Sequence, residues 1–487
     1  MPPARSLVAP VVCFGGWCAF TWYLLAQARG GPAIVWTDSR TYVSVASEAL
    51  LSGAFWIGQR PPAMPLLIKA FGTTTGLLTA QAAFGAVAWG FLAWTVGRLV
   101  APGWRRVVAV WVVLGFATTL PVTLWNRSVL SESLSMSMLA LVFACLIWTA
   151  RRVTWPRVAA TAAACLCFAT TRDAQVWTVA VIGGIVGIAA LTRLGRNPRA
   201  ALRAGVLAVC LLGVAGLAEA GSVASHRTTE DLADVFYVRV FPFPARVAWF
   251  AAHGMPERRE VDALARASSA RSGNAEVVAF SSDDPAFAPL RRWLTTQGQW
   301  AYLLWLATHP WYVVSEPLVR PERAFNFARG DLTFYAATTD QMKSPLTVVM
   351  WPPALELAIM GALALYLAVL SEAWRERPWR AVLALTGIGV LAMLVAWHGD
   401  GQEVTRHTIE GFAEVRLGVW ILIVLGLLGI DAPHDRTATA PLRQSALSPN
   451  RTDGIGLHDR DRTGPGPVLE GGGHGAGCAS GRRTIPD

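Results

Sequence analysis

The sequence predicts an all-α polytopic membrane protein, a bundle of about ten transmembrane helices with two large extracytoplasmic loops. Three observations carry that prediction. The chain is 53% apolar and 15% charged, whereas a soluble domain carries about 25% charged residues. The apolar residues are gathered into runs that reach the roughly 20 residues needed to cross a hydrocarbon core. The arginines gather in alternate connections between those runs, as the positive-inside rule asks.

Apolar runs place spans at about 7–26, 76–99, 107–125, 131–150, 157–171, 176–192, 204–221, 347–370, 381–397 and 417–431. The first run continues to about Ala26 without a persuasive cleavage site, so it is read as an uncleaved span. Arg98, Arg105 and Arg106 follow the second span; Arg151, Arg152 and Arg157 follow the fourth; Arg193, Arg196, Arg199 and Arg203 follow the sixth; Arg375, Arg377 and Arg380 follow the eighth. These connections share one side, which is cytoplasmic by the positive-inside rule and puts both termini in the cytoplasm. The chain then divides into an N-terminal membrane module (1–221) with a first outward loop (27–75), a large outward loop (222–346), C-terminal membrane helices (347–431) and a tail (432–487).

Within the large loop, WAYLLWLATHPWYVV is too short and too interrupted by Pro310 to span. Its Trp300, Trp305, Trp311 and Tyr312 suit the headgroup layer, where amphipathic rings are favoured. The Gly-, Pro- and Arg-rich tail lacks the apolar surface to offset its ordering entropy and is expected to be disordered. The net charge of +10 lies mostly between apolar spans, which argues for membrane topology and against a nucleic-acid partner. Of the seven cysteines, six sit in apolar runs and one in the tail, and none has a disulfide or metal spacing.

Ionisable residues near the predicted outer ends of the spans carry the functional argument. Asp38 and Arg60 lie in the first outward loop, Glu132 opens the fourth span, and Arg172 and Asp173 sit between the fifth and sixth. Glu219 and Glu356 fit interhelical hydrogen-bond partners, while His398 and Asp400 end the ninth span and Arg406 and His407 follow it. A charge at the bilayer centre costs about 2.5–3.5 kcal/mol on insertion scales, and residues at one common depth avoid that cost if they line an outward cavity. Charges at helix ends are also commonly just solvated. His398, His407 and Asp400 lack a tight metal-ligand spacing, so no metal ligands are assigned. The Asn126-Arg-Ser sequon is short and frequent by chance.

One pattern is more specific. The first span is followed by Asp38-Ser39-x-x-Tyr42 and then Arg60-Pro61-Pro62-x-x-Pro65, with Glu132 in a Ser-Glu-Ser-Leu setting and a large outward loop after the seventh span. This resembles the GT-C superfamily of membrane glycosyltransferases over about residues 7–430. The resemblance implies a GT-C-like bundle that takes a sugar from a polyprenyl-phosphate carrier and passes it to an extracytoplasmic glycan, lipid or protein acceptor, with inversion. It implies Asp38 as the general base. Many relatives carry two adjacent acids in this loop where this chain has Asp38-Ser39. A divalent metal, which some relatives hold there, is therefore left open and no other cofactor is called for. A carboxylate can accept the acceptor hydroxyl's proton, and Arg offers a planar fork for phosphate oxygens. Arg60, Arg172 and Arg406 are the expected phosphate ligands, with His407 as a further donor and Tyr42, Glu132 and Asp173 in support. The competing classes are a transporter or lipid flippase with an outward polar cavity, and a scaffold whose outer charges are scattered.

Overall fold

A computed structural model describes residues 5–225, 227–256, 285–319, 344–399, 401 and 404–431. The predicted tail, Asp400 and the GNAEVVAFSSDD segment lie outside the described residues. Within them the chain is helical, and the one extended pairing is an isolated parallel bridge between Ile34 and Ser128. The N-terminal helices are α1 (Arg5–Arg29), α2 (Thr37–Ser47), α3 (Ala63–Phe71), α4 (Thr75–Gly97), α5 (Trp104–Ala117), α6 (Glu132–Arg151), α7 (Trp155–Ala169), α8 (Asp173–Leu191) and α9 (Pro198–Ala224). A group of shorter helices follows: α10 (Arg227–Val235), α11 (Pro244–Ala252), α12 (Ala288–Trp293), α13 (Gln299–Thr308) and α14 (Pro310–Val319). The chain closes with α15 (Pro345–Met350), α16 (Ala354–Leu370), α17 (Arg377–Gly399), α18 (Val404–His407) and α19 (Ile409–Leu428).

Seven of these, α1, α4, α6, α8, α9, α17 and α19, are long and apolar enough to cross a membrane. The architecture fits a multi-pass membrane protein. Three predicted spans take another form. The third breaks after Ala117 and resumes at Leu120 with a bend of 57°, because Pro121 cannot continue the backbone ladder. Thr118 and Thr119 recover carbonyls there by donating their hydroxyls to Gly115 O and Phe116 O. The eighth is split by Pro352 and Pro353 into α15 and the 17-residue α16, and the fifth is the 15-residue α7.

Burial ranks the helices. The apolar window of α1 is 22% buried, whereas that of α6 is 72% and that of α19 is 89%. An apolar side chain is equally satisfied by lipid tails or by protein, so membrane helices associate through close packing and polar contacts. In α19 both are present. At Gly411 a Cβ would stand 2.6 Å from Met393 Cγ and 3.0 Å from Gly389 O, so the α17 and α19 backbones approach where only hydrogen fits.

The start of α19 corrects the sequence reading. The predicted span began at 417, with QEVTRHTIEGFAEVR assigned to the outer connection. The helix instead begins at Ile409 and carries Glu410, Glu414 and Arg416 inside it, all buried. Hydropathy rejects such a stretch because it scores each charge as if it faced lipid. Two of these charges have internal partners: Glu410 meets Arg172, and Arg416 donates to Pro352 O at 2.9 Å and lies over the Trp351 ring at 5.3 Å.

The described part of the large loop has its own core, centred on Phe236, Phe250, Trp293, Tyr302 and Trp305. The four rings expected in the headgroup layer divide accordingly. Trp300 and Trp311 are 75% and 76% exposed, while Trp305 packs inward at 8% and Tyr312 is partly buried beside Arg246.

Gly411→Ala is expected to lower stability by about 1–3 kcal/mol through overpacking, read as a fall in melting temperature of the detergent-solubilised protein. Gly205→Ala on α9, where nothing lies within 4 Å of the added Cβ, should melt unchanged.

Candidate functional site

The segment between α1 and α2 is pinned before it reaches the site. The Ile34 N–H donates to Arg127 O at 2.8 Å and Ile34 O accepts from the Val129 N–H at 3.0 Å. This pairing ties the segment before α2 to the segment just before α6. The Ser39 hydroxyl then accepts from the Trp36 N–H at 2.9 Å and helps start α2. Asp38 therefore sits in the first turn of α2, where the partial positive charge of the helix end favours a carboxylate. Asn126 is also structural, since its side-chain oxygen accepts from the Ser133 hydroxyl at 2.9 Å.

Six charges then form one alternating chain. Arg60 Nη2 donates to Asp38 Oδ1 at 3.0 Å, and Arg406 Nη1 donates to Asp38 Oδ2 at 2.8 Å. The Arg406 Nε also donates to Glu132 Oε1. Arg172 Nη1 lies 3.6 Å from that same Glu132 oxygen and donates to Glu410 Oε1 at 2.7 Å. The order is Arg60, Asp38, Arg406, Glu132, Arg172, Glu410, with three positive and three negative groups. Exposure is concentrated at one end: the side chains of Arg60 and Asp38 are 31% and 28% exposed, whereas Arg406, Glu132, Arg172 and Glu410 are at 5%, 0%, 10% and 3%. The second oxygens of Glu132 and Glu410 are buried without a hydrogen-bond partner among the described residues.

Neighbouring groups set the exposed end. Arg60 Nε donates to Thr41 Oγ1 at 2.8 Å, and its guanidinium carbon lies 5.3 Å from the Tyr42 ring centre. The Tyr42 hydroxyl donates to Ser131 Oγ at 2.9 Å. Burial by itself would raise the Asp38 carboxyl, but Arg60 and Arg406 outweigh it and hold the group below the ordinary aspartate range. Burial, reinforced by the Glu132 carboxylate, pushes the Tyr42 phenol up.

The structure brings together Asp38, Arg60, Glu132, Arg172 and Arg406, with Tyr42 beside them. Asp173 goes elsewhere. Its carboxylate receives a bidentate pair from Arg227, at 2.9 Å from Nε and 3.0 Å from Nη2, and Arg227 also donates to Gly58 O. Asp173 thus ties the start of α8 to the start of α10, Arg227 ties both to the segment before α3, and Asp173 is not part of the charge chain. His407 occupies the turn next to Arg406 and is half-buried. His398 is a packing residue whose Nε2 lies 3.0 Å from Val313 O.

Glu410 and Arg227 were missed. Glu410 had a readable signal, since Glu410 and Glu414 stand four residues apart on one helical face, and an ionisable residue inside an apolar helix is a functional candidate by default. Arg227 had none, because its partner lies 54 residues away.

A groove of about 1190 Å³ opens between α3, α4, α6 and α7, lined almost wholly by apolar groups such as Leu66, Phe84 and Met138, with Arg29 also on its wall. Its lining includes Ala63, Leu134 and Thr170, which are sequence neighbours of Arg60, Glu132 and Arg172. A divalent cation does not fit the Asp38 end. Both carboxylate oxygens accept from guanidiniums that would repel it, and among the described residues no three acidic, His or Cys side chains converge on one point.

Replacing Glu410 with Gln is expected to cost about 3–5 kcal/mol, because it leaves a buried guanidinium short of charge. The double change Arg172→Met with Glu410→Leu keeps the chain neutral and should recover most of that loss in thermal melts.

No protein-family model matches this chain, and no curated protein matches it either.

Proposed function

We propose that this protein is a membrane glycosyltransferase that moves a sugar from a polyprenyl-phosphate carrier to an extracytoplasmic glycan, lipid or protein acceptor. The observation that carries the proposal is the meeting of Asp38 with Arg60 and Arg406 at a partly open site. The apolar groove, whose lining continues the sequence around Arg60, Glu132 and Arg172, suits the carrier chain. In this reading the bundle has ten spans. They are the seven long helices, the bent pair Trp104–Ala117 with Leu120–Arg127, and the shorter apolar helices α7 and α16. Both termini are cytoplasmic, and the site faces outward between the two large loops.

The chemistry follows from the residues. Asp38 takes the proton of the acceptor hydroxyl as that oxygen forms a bond to the anomeric carbon. The bond from the anomeric carbon to the phosphate oxygen breaks, and its electron pair stays on that oxygen. Attack opposite the leaving phosphate inverts the centre. Guanidiniums of Arg60 and Arg406 hold the phosphate and stabilise the charge it gains. Arg172, set deeper between Glu132 and Glu410, keeps the buried carboxylates neutralised. The gathering of these charges into one chain is the opposite of what a scaffold with scattered surface charges would have.

Asp38→Asn should reduce transfer from a polyprenyl-phosphate sugar by about 10²–10⁴-fold while leaving membrane insertion intact. Full retention of transfer would remove the proposed base, and movement of substrate across vesicles without a covalent product would favour a transporter. The acid limb of kcat/KM, which reports the free enzyme, should lie below the ordinary aspartate range, because Arg60 and Arg406 lower the Asp38 carboxyl. Because Arg60 lowers the carboxyl's proton affinity, Arg60→Gln should move that limb to higher pH.

A further inference from the structure

The charge chain in the structure has no cation to spare. Asp38 has both oxygens held, Arg406 is shared between Asp38 and Glu132, and Arg172 is shared between Glu132 and Glu410. An incoming phosphoryl group adds negative charge to a set of three cations and three anions. Charge balance then favours the loosening of one carboxylate from its partners. Glu132 and Glu410 cannot be loosened, because at 0% and 3% exposure they would become unpaired charges without water. Asp38 alone among the three has access to solvent, at 28% exposure.

We infer that a phosphoryl group and the Asp38 carboxylate compete for the guanidiniums of Arg60 and Arg406, so that binding of a prenyl phosphate releases Asp38 into the site. The inference rests on the glycosyltransferase reading and deepens it by making the donor the trigger for the base. Arg60 is the point of entry, since it is 31% exposed and stands at the open end. Arg406 stays tethered through its second contact, to Glu132, when its bond to Asp38 is exchanged for one to phosphate. Once freed, Asp38 loses two favourable cationic contacts and gains an anionic neighbour. Both changes strengthen it as a proton acceptor. An acceptor that arrives before the donor meets a carboxylate that two guanidiniums hold as a weak base. Its hydroxyl is therefore deprotonated efficiently only after the donor has bound.

The test is equilibrium binding to the full-length protein in lipid nanodiscs. The probes are farnesyl methyl phosphate, a diester of constant single charge, and inorganic phosphate. Removing the competitor in Asp38→Asn should tighten binding of the diester by about tenfold even as transfer is lost, and Arg60→Gln should weaken it by about tenfold. Asp38→Glu, which restores the competing charge, should return the affinity toward that of the unaltered protein. Diester binding that is unchanged or weaker in an Asp38→Asn protein with a native melting profile overturns the competition and leaves the lipid-phosphate reading standing. If the Asp38 variants do not fold, Arg60→Gln decides: undiminished diester binding overturns the inference. No diester binding by the unaltered protein or any variant removes the reading and the inference together. Binding of inorganic phosphate alone, tightened by Asp38→Asn, supports the competition and points to a free anion as its source.

Discussion

Charge neutrality in a place with little water is the constraint on which this structure depends. Glu132 and Glu410 are carboxylates at the ends of two of the most buried helices, α6 and α19, and each needs a guanidinium within reach. Arg172 serves both, and Arg406 serves Glu132 while extending the chain outward to Asp38. Losing one member leaves its neighbours as unpaired buried charges, which costs far more than the pair contributes. The chain also explains several local features. The bend after Ala117 and the Ile34 pairing bring Asp38 and Glu132 to one place. The early start of α19 carries Glu410 to Arg172. Close packing at Gly411 sets the contact between α17 and α19.

The same chain divides labour by depth. In its inner half each carboxylate has a guanidinium partner and is shielded from water, which suits a fixed scaffold for the site. Its outer half meets water, so partners there can be exchanged at lower cost. A carboxylate held between two guanidiniums is a weak base, and guanidiniums held by a carboxylate are weak phosphate ligands. In the proposed reaction each is relieved by the donor's arrival. Asp173 and Arg227 stand apart from this chemistry and contribute a strut from the starts of α8 and α10 to the segment before α3.

Legibility in the sequence followed the range of the interaction. Apolar runs are local, and they marked five of the seven long helices to within about four residues at each end, while α9 and α19 begin six and eight residues before their predicted spans. The motif Asp38-Ser-x-x-Tyr with Arg60-Pro-Pro is local too, and it marked the exposed end of the site. Where the reading went wrong, a distant partner had changed the cost of a residue. Glu410 and Arg416 read as solvent-facing because hydropathy has no means of crediting Arg172 or Pro352 O. Trp305 read as interfacial because its packing partner Phe250 lies on another helix.

By itself the sequence determined an all-helical chain with membrane-length apolar segments, and it singled out a lone acid and several arginines at the ends of those segments. Only the tertiary structure decided that these groups meet, and in what order. The contacts that assemble the chain join residues 238, 274 and 368 positions apart. No local pattern specifies such pairs. They form because a buried charge is tolerable only beside its opposite, and the folded bundle alone determines which opposites come within reach.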